Sequence, residues 1–208
     1  MKIIEKKLDS LDKLRTQTNS AAMEIIKTEK KNIYMSDYVC WAILNRQEYL
    51  NMGFIRLVED RNYMAAAHLV RLSLDSLIRF YGFFLVKNMQ DTAYKILKGN
   101  RQMSDLKDKD GQKMKDGYLA RKISKDLKKD FEWVNKLYKT TCKFIHFSET
   151  HMLDLFGKDK DGKTRLVGTR IADNYTCDQY VEMLDSMIAI QEGVYKLYGS
   201  YLHYRKDI

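Results

Sequence analysis

Not one proline interrupts this chain of 208 residues, and apolar side chains recur at helical spacing almost from end to end. Proline breaks helices through its missing amide and its rigid ring, so nothing in the covalent chain stops long helices from forming. Ten glycines are too few for collagen or a turn-dense all-β fold. The periodicity predicts an all-α bundle. Ile4, Leu8, Leu11 and Leu14 mark a stripe on a charged first helix, and a second segment, Ala21 to Ile26, continues or follows it. Ser36 is placed to cap a helix over 37–59, Asp60-Arg61-Asn62 breaks the pattern, and a helix over 63–86 follows. That helix is apolar around most of its circumference, which predicts a central position. Helices are also expected over 91–97, 118–127, 129–147 and 178–205. Before the last of these, two short apolar runs flank Gly157 to Gly162, the pattern of a small β-hairpin insertion. Residues 1–32 read as a helical arm and 33–208 as one bundle domain.

Composition excludes several classes. Hydrophobic residues make up 45% and charged residues 31%, a globular profile that rules out wholesale disorder. Cys40, Cys142 and Cys177 are odd in number and far apart, so neither a disulfide framework nor a paired-cysteine zinc site is expected. The charged N-terminus lacks the apolar core of a secretion signal, which predicts a reduced cytoplasmic location. The stretch from His68 to Val86 has the length of a membrane span but contains Arg71, Asp75 and Arg79. Each charge near a bilayer centre costs about 2.5 kcal/mol or more, so no membrane association is expected. Both Asp-Lys-Asp-Gly stretches fail as calcium loops. Setting Gly111 or Gly162 at the loop glycine puts Leu106 or Gly157 at the first ligand position and Gly117 or Gly168 at the last. No phosphate loop, hydrolase elbow or metalloprotease motif occurs, and neither a cofactor nor a metal is expected.

The net charge is +9, and between Lys87 and His146 there are 16 Lys or Arg against 8 Asp or Glu. Tyr118, Phe131, Trp133 and Tyr138 are interleaved with this surplus, a composition that suits phosphates and stacked bases or, equally, a solvating surface. On the central helix His68, Arg71, Asp75 and Arg79 share one side, with Asp75 spaced to bridge both arginines. That set is either a structural ion-pair ladder or an anion holder. The second cluster is Lys139 to His151, where Lys139, Lys143, His146, Ser148 and His151 gather near the expected end of a helix. Its histidines either cap and pack, or exchange protons beside fixed cations. Titrating groups beside cations are what metal-free RNA cleavage through the ribose 2′-hydroxyl requires.

The segments from Arg61 to Phe84 and from Tyr138 to Met152, followed by a glycine-containing hairpin and a long last helix, resemble an uncharacterised group of bacterial all-α proteins. That group is similar to the HEPN (higher eukaryote and prokaryote nucleotide-binding) superfamily. The resemblance spans about Asp37 to Tyr204. It implies a HEPN-like bundle that forms a homodimer and acts on RNA, many such proteins being metal-independent ribonucleases of toxin–antitoxin or defence systems with a regulatory protein partner. A nucleic-acid or nucleotide binder without catalysis and a helical interaction module are the other readings. The superfamily signature is Arg-x(4–6)-His, often with a polar residue after the arginine. Arg61-Asn62-x5-His68 matches its spacing at the start of the central helix. At the usual later position stands Lys139-x6-His146, with lysine replacing arginine. The resemblance implies catalysis by His146 and His151 with Arg71, supported by Lys139, Lys143, Asp75 and Ser148. Arg71, His146 and His151 are then expected to converge in one solvent-accessible cleft.

Overall fold

The computed structural model describes residues 2–27, 32–145, 156–158, 161, 163–166 and 175–207. The protein is predominantly helical: α1 (Lys2–Lys27), α2 (Met35–Glu59), α3 (Tyr63–Phe84), α4 (Met89–Leu97), α5 (Asp116–Asp126), α6 (Lys128–Phe131), α7 (Val134–Ile145) and α8 (Cys177–Lys206). Among the described residues, two three-residue strands, β1 (Phe156–Lys158) and β2 (Thr164–Leu166), pair antiparallel with Phe156 opposite Leu166. No helix among them is long and apolar enough to cross a membrane.

Helix α3 lies at the centre, against α2, α5, α7 and α8. Leu74, Leu77, Ile78, Phe80 and Phe83 are fully buried on it, as the all-round apolar pattern requires. Helix α1 is continuous, without a break before Ala21, and packs on α2 and α8 with Leu11 and Ile25 fully buried. Helix α2 starts earlier than Ser36, with Tyr34 at the cap. Ser36 and Asp37 instead enter the core. The Asp37 carboxylate accepts from the Tyr34 amide at 2.8 Å, the Tyr201 hydroxyl at 2.6 Å and Arg205 Nε at 2.9 Å. Ser36 Oγ lies 2.7 Å from the Tyr201 hydroxyl. A buried carboxylate is tolerable only with such full pairing, and here it fastens the end of α8 to the start of α2.

The helix expected over 129–147 is divided. Ser124 of α5 reaches into the break, donating to the Phe131 carbonyl at 3.0 Å and accepting from the Asn135 amide at 2.9 Å. Its hydroxyl serves two backbone groups that an unbroken helix would have bonded internally. The polar stretch between α4 and α5 is anchored rather than loose. Leu106 and Met114 are buried, and the Lys109 amide donates to the Leu85 carbonyl at 2.8 Å. Within it, Asp108 accepts from the amides of Asp110 at 3.0 Å and Gln112 at 2.9 Å, and Gly111 takes φ +82°. The first Asp-Lys-Asp-Gly stretch is thus an Asx turn with Lys109, Asp110 and Gly111 exposed.

Candidate functional site

Where α3, α5 and α7 meet, the surface opens into a cleft of about 580 Å³. Arg79, Lys113, Lys115 and Arg121 line it beside Tyr118 and Tyr138, with Asp116 the acid among them. Lys113, Lys115 and Arg121 are exposed at the rim. The anchored stretch before α5 delivers both lysines, and the first turns of α5 deliver Asp116, Tyr118 and Arg121.

Asp116 organises the floor. Its carboxylate accepts from Arg71 Nη2 at 3.1 Å and from Arg79, and Arg79 also donates to the Met114 carbonyl at 2.8 Å. Arg79 further pairs with Asp75 at 3.6 Å, and Asp75 with Arg46 of α2 at 3.4 Å. The expected ladder is therefore corrected: Asp75 holds Arg79 and Arg46, while Arg71 turns to Asp116. A carboxylate placed 45 residues further along the chain wins because it meets both guanidinium groups at once.

Arg71 is only 8% exposed and stacks over Tyr138 at 4.7 Å from the ring centre. The expectation of an accessible Arg71 is likewise corrected: it lies under the cleft, where a guanidinium needs a carboxylate and an aromatic face. Burial works against its charge, but contacts from Cys142 and Asp116 outweigh that and raise its pKa, so it remains a cation. Burial, followed by contact with Cys142, raises the Tyr138 hydroxyl above its ordinary value and keeps it a neutral phenol. Cys142 thus lies near both Arg71 and Tyr138.

Of the other residues singled out in the sequence, Lys139 and Lys143 are exposed on α7, one turn apart. Arg61, Asn62 and His68 serve the α2–α3 turn. Arg61 takes φ +55° and its carbonyl accepts from the Tyr180 hydroxyl at 2.9 Å. Asn62 Oδ1 accepts from the Ala65 amide at 3.3 Å, and His68 Nδ1 donates to the Met64 carbonyl at 2.7 Å. His146, Ser148 and His151 lie outside the described residues. Among those that are described, no three His, Cys, Asp or Glu side chains gather as metal ligands.

Sequence spacing could not have found Asp116, because its partners come from a helix far away in the chain. Lys113, Lys115 and Arg121 were visible only as part of the diffuse basic surplus. No protein-family model, curated protein sequence or solved structure matches this chain.

Proposed function

We propose that this protein is a HEPN-like, RNA-binding helical bundle of a defence or toxin–antitoxin type system, with the β1–β2 ladder as an insertion before its last helix. The observation that supports this reading best is the cation-lined cleft, with exposed cations at its rim and neutral aromatic rings beside them. Lys113, Lys115 and Arg121 neutralise consecutive phosphates, and Tyr118 and Tyr138 offer faces for bases. Arg71 acts as a positioning residue: it fixes Tyr138 and Asp116, and through Asp116 it fixes Arg79.

Cleavage is the second part of the proposal. His146 follows Ile145, the last residue of α7, and stands four positions after Cys142, which lies near Arg71. In this reading His146 takes the proton of a ribose 2′-hydroxyl as that oxygen attacks the adjacent phosphorus. The bond to the 5′-oxygen breaks, and that oxygen takes a proton from His151 or water. The products are a 2′,3′-cyclic phosphate and a 5′-hydroxyl. Lys139, Lys143 and Ser148 bind the phosphate from the same stretch of chain. The test is incubation of wild-type protein and His146→Ala with total RNA in EDTA. Cleavage by wild type alone is the expected result, with unchanged thermal stability in the variant. Intact RNA with both proteins, together with RNA retained by the cleft, would leave a binding protein without catalysis.

A further inference from the structure

Two helices carry polar residues in the middle of otherwise apolar buried seams. On α2 the buried positions 40, 44, 47, 51, 54 and 58 advance by alternating fours and threes, and on α8 positions 184, 187, 191, 194 and 198 do the same. Cysteine, leucine, phenylalanine and valine fill the first seam and leucine, methionine, valine and tyrosine the second, except at Gln47, Asn51 and Gln191. All three amides are 0% exposed. A leucine at any of them would bury no polar atom, whereas an amide placed there needs hydrogen-bond partners to offset its loss of water.

The protein supplies only part of what these groups need. Asn51 Nδ2 donates to Gln191 Oε1 at 2.7 Å, and Ser73 of α3 donates to Gln47 Oε1 at 2.8 Å. Glu48 accepts from Arg15 of α1 through one carboxylate oxygen. Among the described residues, Asn51 Oδ1, Glu48 Oε2, Gln47 Nε2 and Gln191 Nε2 are buried without a hydrogen bond. Amide orientation does not remove the deficit: turning Asn51 and Gln191 over together exchanges their roles and still leaves one donor and one acceptor. The groups belong to one region. Gln47 and Asn51 stand one turn apart on the same side of α2. Gln191 and Glu48 both lie near the Tyr195 hydroxyl, which donates to the Leu14 carbonyl of α1 at 2.6 Å.

We infer that this polar layer, shared by α1, α2, α3 and α8, is a binding site for internal water. The unpaired atoms select the ligand. A metal ion would face the amide N–H groups, an anion would face the Glu48 carboxylate, and an apolar molecule would satisfy neither. Water both donates and accepts, and it is small enough to sit between packed side chains. It donates to Asn51 Oδ1 and Glu48 Oε2 and accepts from the Gln47 and Gln191 amides, joining helices whose direct contacts leave these atoms over. Arg15 and Glu48, with side chains 21% and 15% exposed, form the edge of the layer through which that water exchanges with solvent. The layer is separate from the cleft between α3, α5 and α7, and the inference stands whether or not that cleft binds RNA.

Oxygen-17 relaxation dispersion of the solvent tests it, since this counts long-lived internal water and is blind to protons exchanging from the Ser73 or Tyr195 hydroxyl. A chain of 208 residues is expected to hold on the order of seven buried waters in all, so the comparison with a variant decides. Asn51→Leu/Gln191→Met removes the amide pair and fills its space with slightly larger apolar groups. The variant is expected to keep its helix content and to lose dispersion amplitude equal to about one water or more. A crystal structure of the wild-type chain reads the same site without substitution, and a water oxygen within about 3.2 Å of Asn51 Oδ1 or Gln191 Nε2 is expected there. Equal amplitudes from wild type and the folded variant, or a crystal structure in which neither atom has a water neighbour, would overturn the inference.

Discussion

Asp116 is the residue on which the floor of the cleft depends. Its side chain is partly exposed, while the guanidinium of Arg71 beneath it is nearly buried. Among the described residues, Asp116→Ala leaves Arg71 with an aromatic face, nearby Cys142 and the field of Asp75, and Arg79 with carbonyls and a more distant Asp75. Loss of a carboxylate from such a pair costs about 1–3 kcal/mol, less than for a fully buried pair because water reaches the site. Denaturant unfolding measures this, and Arg71→Lys should recover little, since an ammonium neither grips a carboxylate twice nor stacks flat on Tyr138. Asp108 gives a second prediction, in pH. Burial disfavours its ionised form, but the Tyr118 hydroxyl at 2.5 Å and two backbone amides outweigh burial and lower its pKa. A lowered carboxylate stabilises the fold above its unfolded value of about 3.9 and loses that contribution as pH falls through the folded value. Wild-type unfolding free energy should therefore decline below about pH 4, and Asp108→Asn should be less stable at pH 7 with a shallower decline. At this scale the sequence showed which residues were charged, but not whom they meet. Arg71, Asp75 and Arg79 stood out as a ladder on one helix, whereas Asp116 enters from another element and reorders the pairing.

Helices were the most legible level, because their signal is local and repeated. The central helix, with Asn62 at its cap, and the long last helix follow directly from apolar spacing. Where the expectation missed, a contact from elsewhere decided. Ser124 splits the helix expected over 129–147, and Asp37 with Arg205 draws the start of α2 into the core. Close approach between helices was also hidden. A Cβ on Gly193 of α8 would lie 3.0 Å from the Phe131 ring and 3.2 Å from Leu77, so glycine permits α8 to sit close against α3 and α6. Gly193→Ala should raise helix propensity yet lower stability by about 1–3 kcal/mol through overpacking, read as a reduced midpoint of thermal unfolding. An unchanged or raised midpoint would mean that α8 can withdraw at no cost.

As a whole, the molecule keeps two kinds of surface apart. Around α5 and α7 it is lysine-rich and grooved, with aromatic rings beside the cations. Along α2 there is no lysine, and Met35, Tyr38, Tyr49 and Met52 are exposed. The lysine-rich surface has the charge that a polyanion requires. The site was only half legible in the sequence, which pointed to the basic region and to Arg71. The groove itself comes from the anchoring of residues 106–115 beneath α3, a tertiary event with no local signature. The central claim is that this groove binds RNA through the cations at its rim. Fluorescence anisotropy with a labelled single-stranded RNA over a series of salt concentrations tests it most directly. Wild type should bind with a steep negative dependence of log affinity on log salt. The double variant Lys113→Ala/Arg121→Ala should bind about 10-fold more weakly or worse, with a slope shallower by about 2. A wild type that does not bind, or a double variant with unchanged affinity and slope, would contradict the account.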